Sequence, residues 1–245
     1  MIDEFVASAR DKWGQLTSLV LLLPHGYEGQ GPDHSSARLE RFLGLAADTN
    51  LRVVNCTSAA NYFHVLRRQA ALLTIDPLPL VVMTPKSLLR HPLVSSPLSA
   101  FSQGGWQAVI APLDPAAEIR RLVLCSGKVY MDLLGSELAA QHPETGLARL
   151  EQLAPFPAAD VSALLAGCPA LEELLWVQEE PENMGAWEFV RPFLSEALPP
   201  QARLAWVARP LSASPAEGSS SQHAFNQRRL IERAFASLPD LEGGK

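Results

Sequence analysis

The chain has 245 residues, enough for one large domain or two ordinary ones, because domains usually have about 100–200 residues. Hydrophobic residues make up 47% and charged residues 19%, a globular composition that excludes a largely disordered chain. With a net charge of −6 the protein has no overall basic field, which disfavours nucleic acid and membrane surfaces as partners.

The amino-terminal residues predict an amphipathic helix and no targeting signal. The stretch MIDEFVASARDKWG mixes acidic and basic side chains and lacks the charged-then-apolar order of a secretory signal. The leucine-rich run 19–23 is too short to span a bilayer. We therefore expect an intracellular protein.

Seven short apolar runs predict β-strands, and most of them are separated by segments with apolar residues three and four positions apart. The runs are residues 19–23, 51–56, 78–84, 119–127, 148–153, 171–180 and 202–208. Continuous apolar strands that alternate with helices are typical of sheets buried on both faces. The pattern predicts an α/β fold with mainly parallel sheets and flanking helices.

A region dense in proline, serine and glycine interrupts this pattern. It predicts a linker at 93–117 between a first unit, 1–92, and a second unit, 118–245. Three cysteines, Cys56, Cys125 and Cys168, show neither a CxxC pair nor zinc-ligand spacing, and we interpret them as buried thiols.

The first predicted strand runs into a glycine-rich stretch, PHGYEGQGPDHSS, at residues 24–36. Loops at the carboxyl ends of parallel strands commonly bind ligands. The next helix is predicted to begin near His34 with Asp33 as its N-cap, which places His34 where the helix dipole favours an anionic group. The alternative is a loop whose histidines are ordinary capping and surface residues. The stretch has neither a P-loop Lys-Ser/Thr pair nor the GxGxxG order.

Several longer motifs occur in a fixed order between about Ile2 and Phe235. They include LLLPHGYEGQGPDHSSARLERFL, ANYFHVLRRQA, LVVMTPKSLLRHP, LCSGKVYMDLL, LEQLAPFP, WVQEEPENMGAW and RPLSASPAEG. Together they closely resemble the carboxyl-terminal part of the thiamine-diphosphate-dependent decarboxylating component of 2-oxoglutarate dehydrogenase. The resemblance implies a transketolase-like architecture, with part of a pyrimidine-binding domain at 1–92 and a complete carboxyl-terminal domain at 118–245.

The resemblance implies decarboxylation of 2-oxoglutarate on thiamine diphosphate, held with Mg²⁺, and succinyl transfer to a lipoyl group. The implied partners are a second copy of the chain in a homodimer, a lipoyl-bearing succinyltransferase and dihydrolipoyl dehydrogenase. The implied location is the cytoplasm, or the mitochondrial matrix in a eukaryote.

The family's GDG motif and activating glutamate are absent from this sequence. We therefore expect most of the cofactor site to lie upstream or in a separate amino-terminal subunit, and the isolated chain to be inactive. Two alternatives stay open: a non-catalytic dimerisation or assembly module, and a relative that acts on 2-oxoadipate.

Carried over by the resemblance, His34 matches a histidine placed over the reactive end of the cofactor. There it would bind substrate carboxylate or shuttle a proton. His25 is a second catalytic candidate for the same pocket, the alternative being a structural hydrogen bond within the loop. Glu28, Gln30 and Ser35 are weaker candidates that would orient His34. No metal site is predicted within the chain itself.

Some family members bind acetyl-CoA as an activator, and the resemblance assigns two possible regulatory residues, Arg68 and Gln152. A pair of arginines expected after the APxP motif is replaced by Ala159 and Asp160. Acetyl-CoA regulation of this chain is therefore not expected. The alternative role for Arg68 is that of a basic residue at a helix end, where it pairs with the dipole.

Acidic residues are concentrated in QEEPENMGAW, residues 178–187. We interpret this stretch as a loop after a strand, with acids favoured near the amino terminus of the next helix. The alternative is acid–base work by Glu179 and Glu180, although neighbours on an extended segment face opposite ways. Further along, Ser219 or Ser220 is predicted to cap a helix.

Overall fold

The computed structural model describes residues 1–25, 27, 37–47, 49–113 and 118–236. Within them the strands form two mainly parallel sheets with helices packed on their faces, which confirms the predicted α/β class. One continuous core lies between the sheets and includes Val53 and Val81 of the first with Leu124 and Trp176 of the second.

The first sheet has four strands, three of them from the first part of the chain. A π-helical turn, Ile2–Ala7, and α1 (Ala9–Trp13) precede β1 (Val20–Leu23), α2 (Leu39–Leu45), β2 (Arg52–Val54), α3 (Ala59–Ala71) and β3 (Leu80–Met83). Strands β1 and β2 both pair in parallel with β3, which lies between them. All residues of β2 and β3 are buried, as continuous apolar runs in parallel sheets require.

The predicted linker contains regular structure among its described residues. After 3₁₀ turns at Lys86–Arg90 and Pro92–Val94 come α4 (Leu98–Ser102) and the short strand β4 (Val109–Ile110). Strand β4 pairs antiparallel with a strand of the second sheet.

The second sheet has five strands and the larger set of helices. After β4, its elements are β5 (Arg121–Cys125), α5 (Val129–Leu134), α6 (Glu137–Gln141), β6 (Thr145–Leu150), α7 (Ala158–Ala166), β8 (Glu173–Pro181), α8 (Trp187–Ala197), β9 (Arg203–Arg209) and α9 (Ser220–Phe235). Strand β7 (Gln152–Ala154) follows β6 in the chain but belongs to the first sheet. The strand order is β4-β6-β5-β8-β9, and every pair except β4 with β6 is parallel.

The prediction of a single strand at 148–153 is wrong. Strand β6 ends at Leu150 in the second sheet, while β7 pairs antiparallel with β2 in the first sheet. Glu151 lies between them, where the chain passes from one sheet to the other. The division into units at 1–92 and 118–245 stays a prediction, and β7 adds a strand from the later part of the chain to the first sheet.

Glu151 is fully buried at this crossing and accepts several hydrogen bonds. Its carboxylate accepts from the Thr57 backbone N–H at 2.9 Å, from the Thr57 hydroxyl, and from Asn61 Nδ2 at 2.9 Å. Arg149 Nε lies 3.4 Å from Glu151 and donates to Thr57 Oγ1 at 2.7 Å. The guanidinium also lies 3.9 Å from the ring centroid of Tyr130. One buried polar cluster therefore joins the start of α3 to the second sheet.

Two helix starts were predicted, with different outcomes. Helix α2 begins at Leu39 with Arg38 in the N-cap position, later than the predicted start near His34. Asp33 and His34 themselves lie outside the described residues. Helix α9 begins at Ser220, and the Ser219 hydroxyl accepts from the Gln222 backbone N–H at 3.1 Å, which confirms the predicted cap. The local Ser signal was sufficient at α9 because the cap bond spans only three residues.

All three cysteines are buried, as predicted. Burial raises the pKa of each thiol, so the nucleophilic thiolate is rare at neutral pH. We expect no fast reaction with Ellman's reagent in the native protein and reaction of Cys56, Cys125 and Cys168 after denaturation. A thiol that reacts rapidly before unfolding would contradict this prediction.

Candidate active site

The carboxyl ends of strands from both sheets meet at a buried group of polar side chains. His25 follows β1, while Glu179 and Glu180 lie near the end of β8. Their exposed fractions are 7%, 3% and 8%. Because ligands commonly bind at this end of parallel strands, the group marks the candidate site.

Both ring nitrogens of His25 are hydrogen-bonded within the protein. Nδ1 lies 2.7 Å from the carbonyl oxygen of Ala37, and Nε2 lies 2.7 Å from Oε1 of Glu180. A carbonyl oxygen only accepts, so Nδ1 carries a proton and donates it. Burial lowers the pKa of His25, but the hydrogen bond and charge of Glu180 outweigh burial and raise that pKa to about 9. His25 is therefore an imidazolium at neutral pH.

Glu180 is the anion that balances His25. Burial raises the pKa of this carboxyl, whereas the hydrogen bond and charge of His25, with a contribution from Arg209, lower it to below its usual range. The two side chains form a buried ion pair between β8 and the segment that follows β1. Removing either partner would leave the other charge buried without compensation, which is strongly destabilising.

Tyr27 makes a second set of contacts between this segment and the second sheet. Its backbone N–H donates to Oε1 of Glu179 at 3.1 Å, and its hydroxyl donates to the carbonyl oxygen of Ser214 at 3.2 Å. The guanidinium of Arg209 lies 4.9 Å from the Tyr27 ring centroid, within cation–π range. Backbone, hydroxyl and ring of Tyr27 are thus all bound by residues of the second half of the chain.

Glu179 faces a lysine, whereas Glu180 faces His25. Lys128 Nζ lies 3.0 Å from Oε2 of Glu179 and 2.7 Å from Oδ2 of Asp132. Burial raises the pKa of Glu179, Lys128 lowers it and the charge of Glu180 raises it again, so the net direction is upward. Neighbouring carboxyls whose pKa values are moved in opposite directions suit different roles, one as acid and one as base.

Among the described residues, the cavity beside His25 is too small to hold a substrate. Its volume is about 10 Å³, close to the space of one water molecule. The residues that line it are His25, Tyr27, Arg38, Glu40, Glu180, Met184 and Pro215. Both ring nitrogens of His25 are engaged by protein atoms beside this cavity.

The other residues predicted for this pocket lie outside the described residues. These are His34, Glu28, Gln30 and Ser35, all within 28–36. Their roles, and that of His25 as a catalytic residue, stay predictions. The structure does describe both flanks of the segment, at His25 and Ala37, which are joined by the 2.7 Å hydrogen bond.

The two possible regulatory residues lie together, away from His25. Arg68 Nη1 donates to Oε1 of Gln152 at 2.8 Å, and Gln152 Nε2 donates to the carbonyl oxygen of Pro155 at 2.8 Å. Ala159 and Asp160 are in the first turn of α7. The hydrogen bond between Arg68 and Gln152 joins α3 to β7. The regulatory role of the two residues stays a prediction.

The predicted strand at 171–180 is confirmed by β8, and the competing interpretation of QEEPENMGAW as a loop is wrong for its first residues. Gln178, Glu179 and Glu180 are buried strand residues of β8, and α8 begins only at Trp187. The acids bind Lys128 and His25 instead of a helix amino terminus. A signal was present in the sequence, because the apolar run LLWV continues into QEE without a turn residue.

Neither a metal site nor a membrane span is found in the part of the chain that the structure describes. Within those residues, no group of three or more His, Cys, Asp or Glu side chains is arranged to hold a metal ion. The same residues include no helix that is long and apolar enough to cross a bilayer.

Comparison with known families matches two successive parts of the chain. The model of the transketolase pyrimidine-binding domain matches residues 1–92, and the model of the 2-oxoglutarate dehydrogenase C-terminal domain matches residues 95–235. The second match covers more than half of the chain, including every residue of β8 and α9.

Curated relatives are similar over nearly the whole chain. The 2-oxoglutarate dehydrogenase E1 component of Shouchella clausii is 48% identical over 244 residues, covering 96% of this chain and 26% of that protein. The corresponding proteins of Cupriavidus necator and Bacillus velezensis are 46% and 48% identical, over 97% and 94% of this chain. The chain spans about a quarter of the length of these relatives.

Proposed function

We propose that this chain, which belongs to the 2-oxoglutarate dehydrogenase E1 family, forms one wall of the active site of a 2-oxo acid decarboxylating component. The reaction would be the oxidative decarboxylation of 2-oxoglutarate with succinyl transfer to a lipoyl group. The observation that carries the proposal is the 48% identity over 96% of the chain to a protein named for this activity.

The cofactor implied by the family is thiamine diphosphate with Mg²⁺. The described residues do not by themselves fit it, because the cavity beside His25 is about 10 Å³ and no metal-ligand cluster occurs among them. The diphosphate and Mg²⁺ would therefore be bound by other residues of a longer protein or by a separate subunit. We derive no reaction step through the cofactor.

The contribution of this chain would be substrate placement and proton management, which proteins supply to cofactor chemistry. His34 is the residue proposed to contact substrate, by binding its carboxylate or by moving a proton. The buried pair of His25 and Glu180 supports this assignment, because it fixes the flanks of the segment that contains His34.

The proposed partners are those of a 2-oxo acid dehydrogenase complex. They are a second copy of the E1 chain, a lipoyl-bearing succinyltransferase and dihydrolipoyl dehydrogenase, acting in the cytoplasm.

Deletion of the gene in its own cells tests the proposed function. Extracts of the deleted strain are expected to lose 2-oxoglutarate-dependent ferricyanide reduction and to regain it when the gene is restored. Assays with 2-oxoadipate in the same extracts identify the alternative substrate. Normal activity with both substrates, in cells without a homologous gene, would overturn the proposal and favour a non-catalytic assembly module.

A further inference from the structure

One side chain of the second sheet, Glu180, binds the imidazole of His25, which in turn binds Ala37. The glycine-rich segment 26–36 lies between His25 and Ala37 in the sequence. We propose that Glu180 is a positioning residue of the active site, which acts through His25 to fix both flanks of this segment. The inference rests on the proposed function, in which His34 of the segment contacts substrate.

The first step is the hydrogen bond that His25 makes to Ala37. The chain leaves the first sheet at His25, and the described chain resumes at Ala37, whose carbonyl oxygen accepts the Nδ1 proton of His25 at 2.7 Å. Ala37 has an exposed fraction of only 6%. A single imidazole thus joins the residue before the segment to the residue after it.

The second step is the anchoring of this imidazole to the other sheet. Glu180 is 155 positions away in sequence, and its Oε1 lies 2.7 Å from Nε2 of His25. The proton on Nδ1 of His25 is donated to the carbonyl oxygen of Ala37. If the ring were neutral, Nε2 would therefore carry a lone pair, and this lone pair would face the carboxylate of Glu180. The contact with ionised Glu180 therefore requires the doubly protonated ring.

Neighbouring charges favour the same arrangement. Among the described residues, the titratable and charged groups that face His25 or share its small cavity are Tyr27 on its own segment, Arg38 and Glu40 at the start of α2, and Glu179 and Glu180 on β8. Glu180 makes the direct contact, while Arg38 binds Glu40 at 2.6 Å. Glu179 is engaged by Lys128 and the Tyr27 N–H, so it does not replace Glu180.

Glu180→Gln tests the role of the charge with little change in shape. The amide replaces the charge-assisted hydrogen bond to Nε2 with a weaker neutral one, so His25 is held less firmly. The counter-ion is also lost, and burial then lowers the pKa of His25. In the cofactor-loaded protein, together with any subunit it needs, we expect turnover of 2-oxoglutarate to fall about 10- to 100-fold at pH 8, the loss that a small misplacement of a reacting group causes. The loss should be smaller at pH 6, where the ring regains its proton.

A matched control is Glu172→Gln, at the residue just before the other end of β8. Glu172 pairs with Arg120 on the surface, with side-chain exposures of 60% and 58%. Its turnover and pH profile should equal those of the unaltered protein. Equal turnover and equal pH profiles for Glu180→Gln and Glu172→Gln would overturn the positioning role.

Histidine NMR of the purified, unaltered protein gives a readout that does not depend on activity. Both ring nitrogens of His25 should stay protonated at neutral pH and titrate near pH 9, and in Glu180→Gln the titration should move to lower pH. A His25 ring that is neutral at pH 7 in the unaltered protein overturns the inference even if the variant does not fold. Absence of all 2-oxo acid turnover by the cofactor-loaded protein together with any subunit it needs, with the NMR result as expected, refutes the proposed function and leaves the link between Glu180 and His25 supported.

Discussion

Glu151→Ala is expected to lower the free energy of unfolding by about 3–5 kcal/mol, because it leaves a buried arginine without its carboxylate. Glu151 accepts hydrogen bonds from Thr57 and Asn61, and Arg149 lies 3.4 Å away. All these donors are buried, so water cannot replace the lost acceptor without rearrangement. Urea denaturation of the purified protein measures the change.

Two further variants make this prediction specific. Glu172→Ala removes an exposed glutamate from a surface pair with Arg120 and should change stability little. Glu151→Gln keeps the shape and one acceptor oxygen. Burial raises the pKa of Glu151, and Arg149, Thr57 and Asn61 only partly oppose this effect. The ionised carboxylate is therefore itself destabilised by burial. Gln should therefore retain more stability than Ala, and a Glu151→Ala protein as stable as Glu172→Ala would contradict the role of the cluster.

His34→Ala is expected to lower the rate of 2-oxoglutarate decarboxylation about 10²- to 10⁴-fold, the usual contribution of a positioned acid or base. The assay is steady-state ferricyanide reduction by the cofactor-loaded protein together with any subunit it needs. Whether the loss appears in kcat or in KM identifies the role of His34. A fall in kcat indicates proton transfer, whereas a rise in KM with kcat unchanged indicates that His34 binds the substrate carboxylate.

His142→Ala is the matched control for His34→Ala. His142 is a partly exposed histidine beside Glu144, at the other end of β6 from the candidate site. Its replacement should leave both kcat and KM unchanged. Full activity of His34→Ala would refute the assignment of His34 as a site residue.

The α/β class could be predicted from the sequence because strand and helix periodicities are local. Apolar runs such as those at β3 and β5 are continuous because both faces of their sheets are buried. The cap of α9 by Ser219 was equally local. The strand at 148–153 was misjudged because the change of sheet at Glu151 depends on Thr57 and Asn61, which are distant in sequence.

The partners within the candidate site could not be predicted from the residues alone. His25 and Glu180 are 155 positions apart, and neither carries a local signal for the other. The sequence predicted that Glu179 and Glu180 end a strand, but not that they are buried, since an unpaired buried carboxylate is too costly to assume. Their burial becomes understandable only when His25 and Lys128 are seen beside them.

The sequence by itself therefore determined the alternation of strands and helices, the burial of the three cysteines and, through its long motifs, the family. These depend on neighbouring residues and on ordered similarity along the chain. Only the tertiary structure decided that β7 joins the first sheet, that Glu151 links the two sheets and that His25 is protonated by its contact with Glu180. Such features depend on which distant side chains share a buried, low-dielectric environment, and folding alone brings those side chains together.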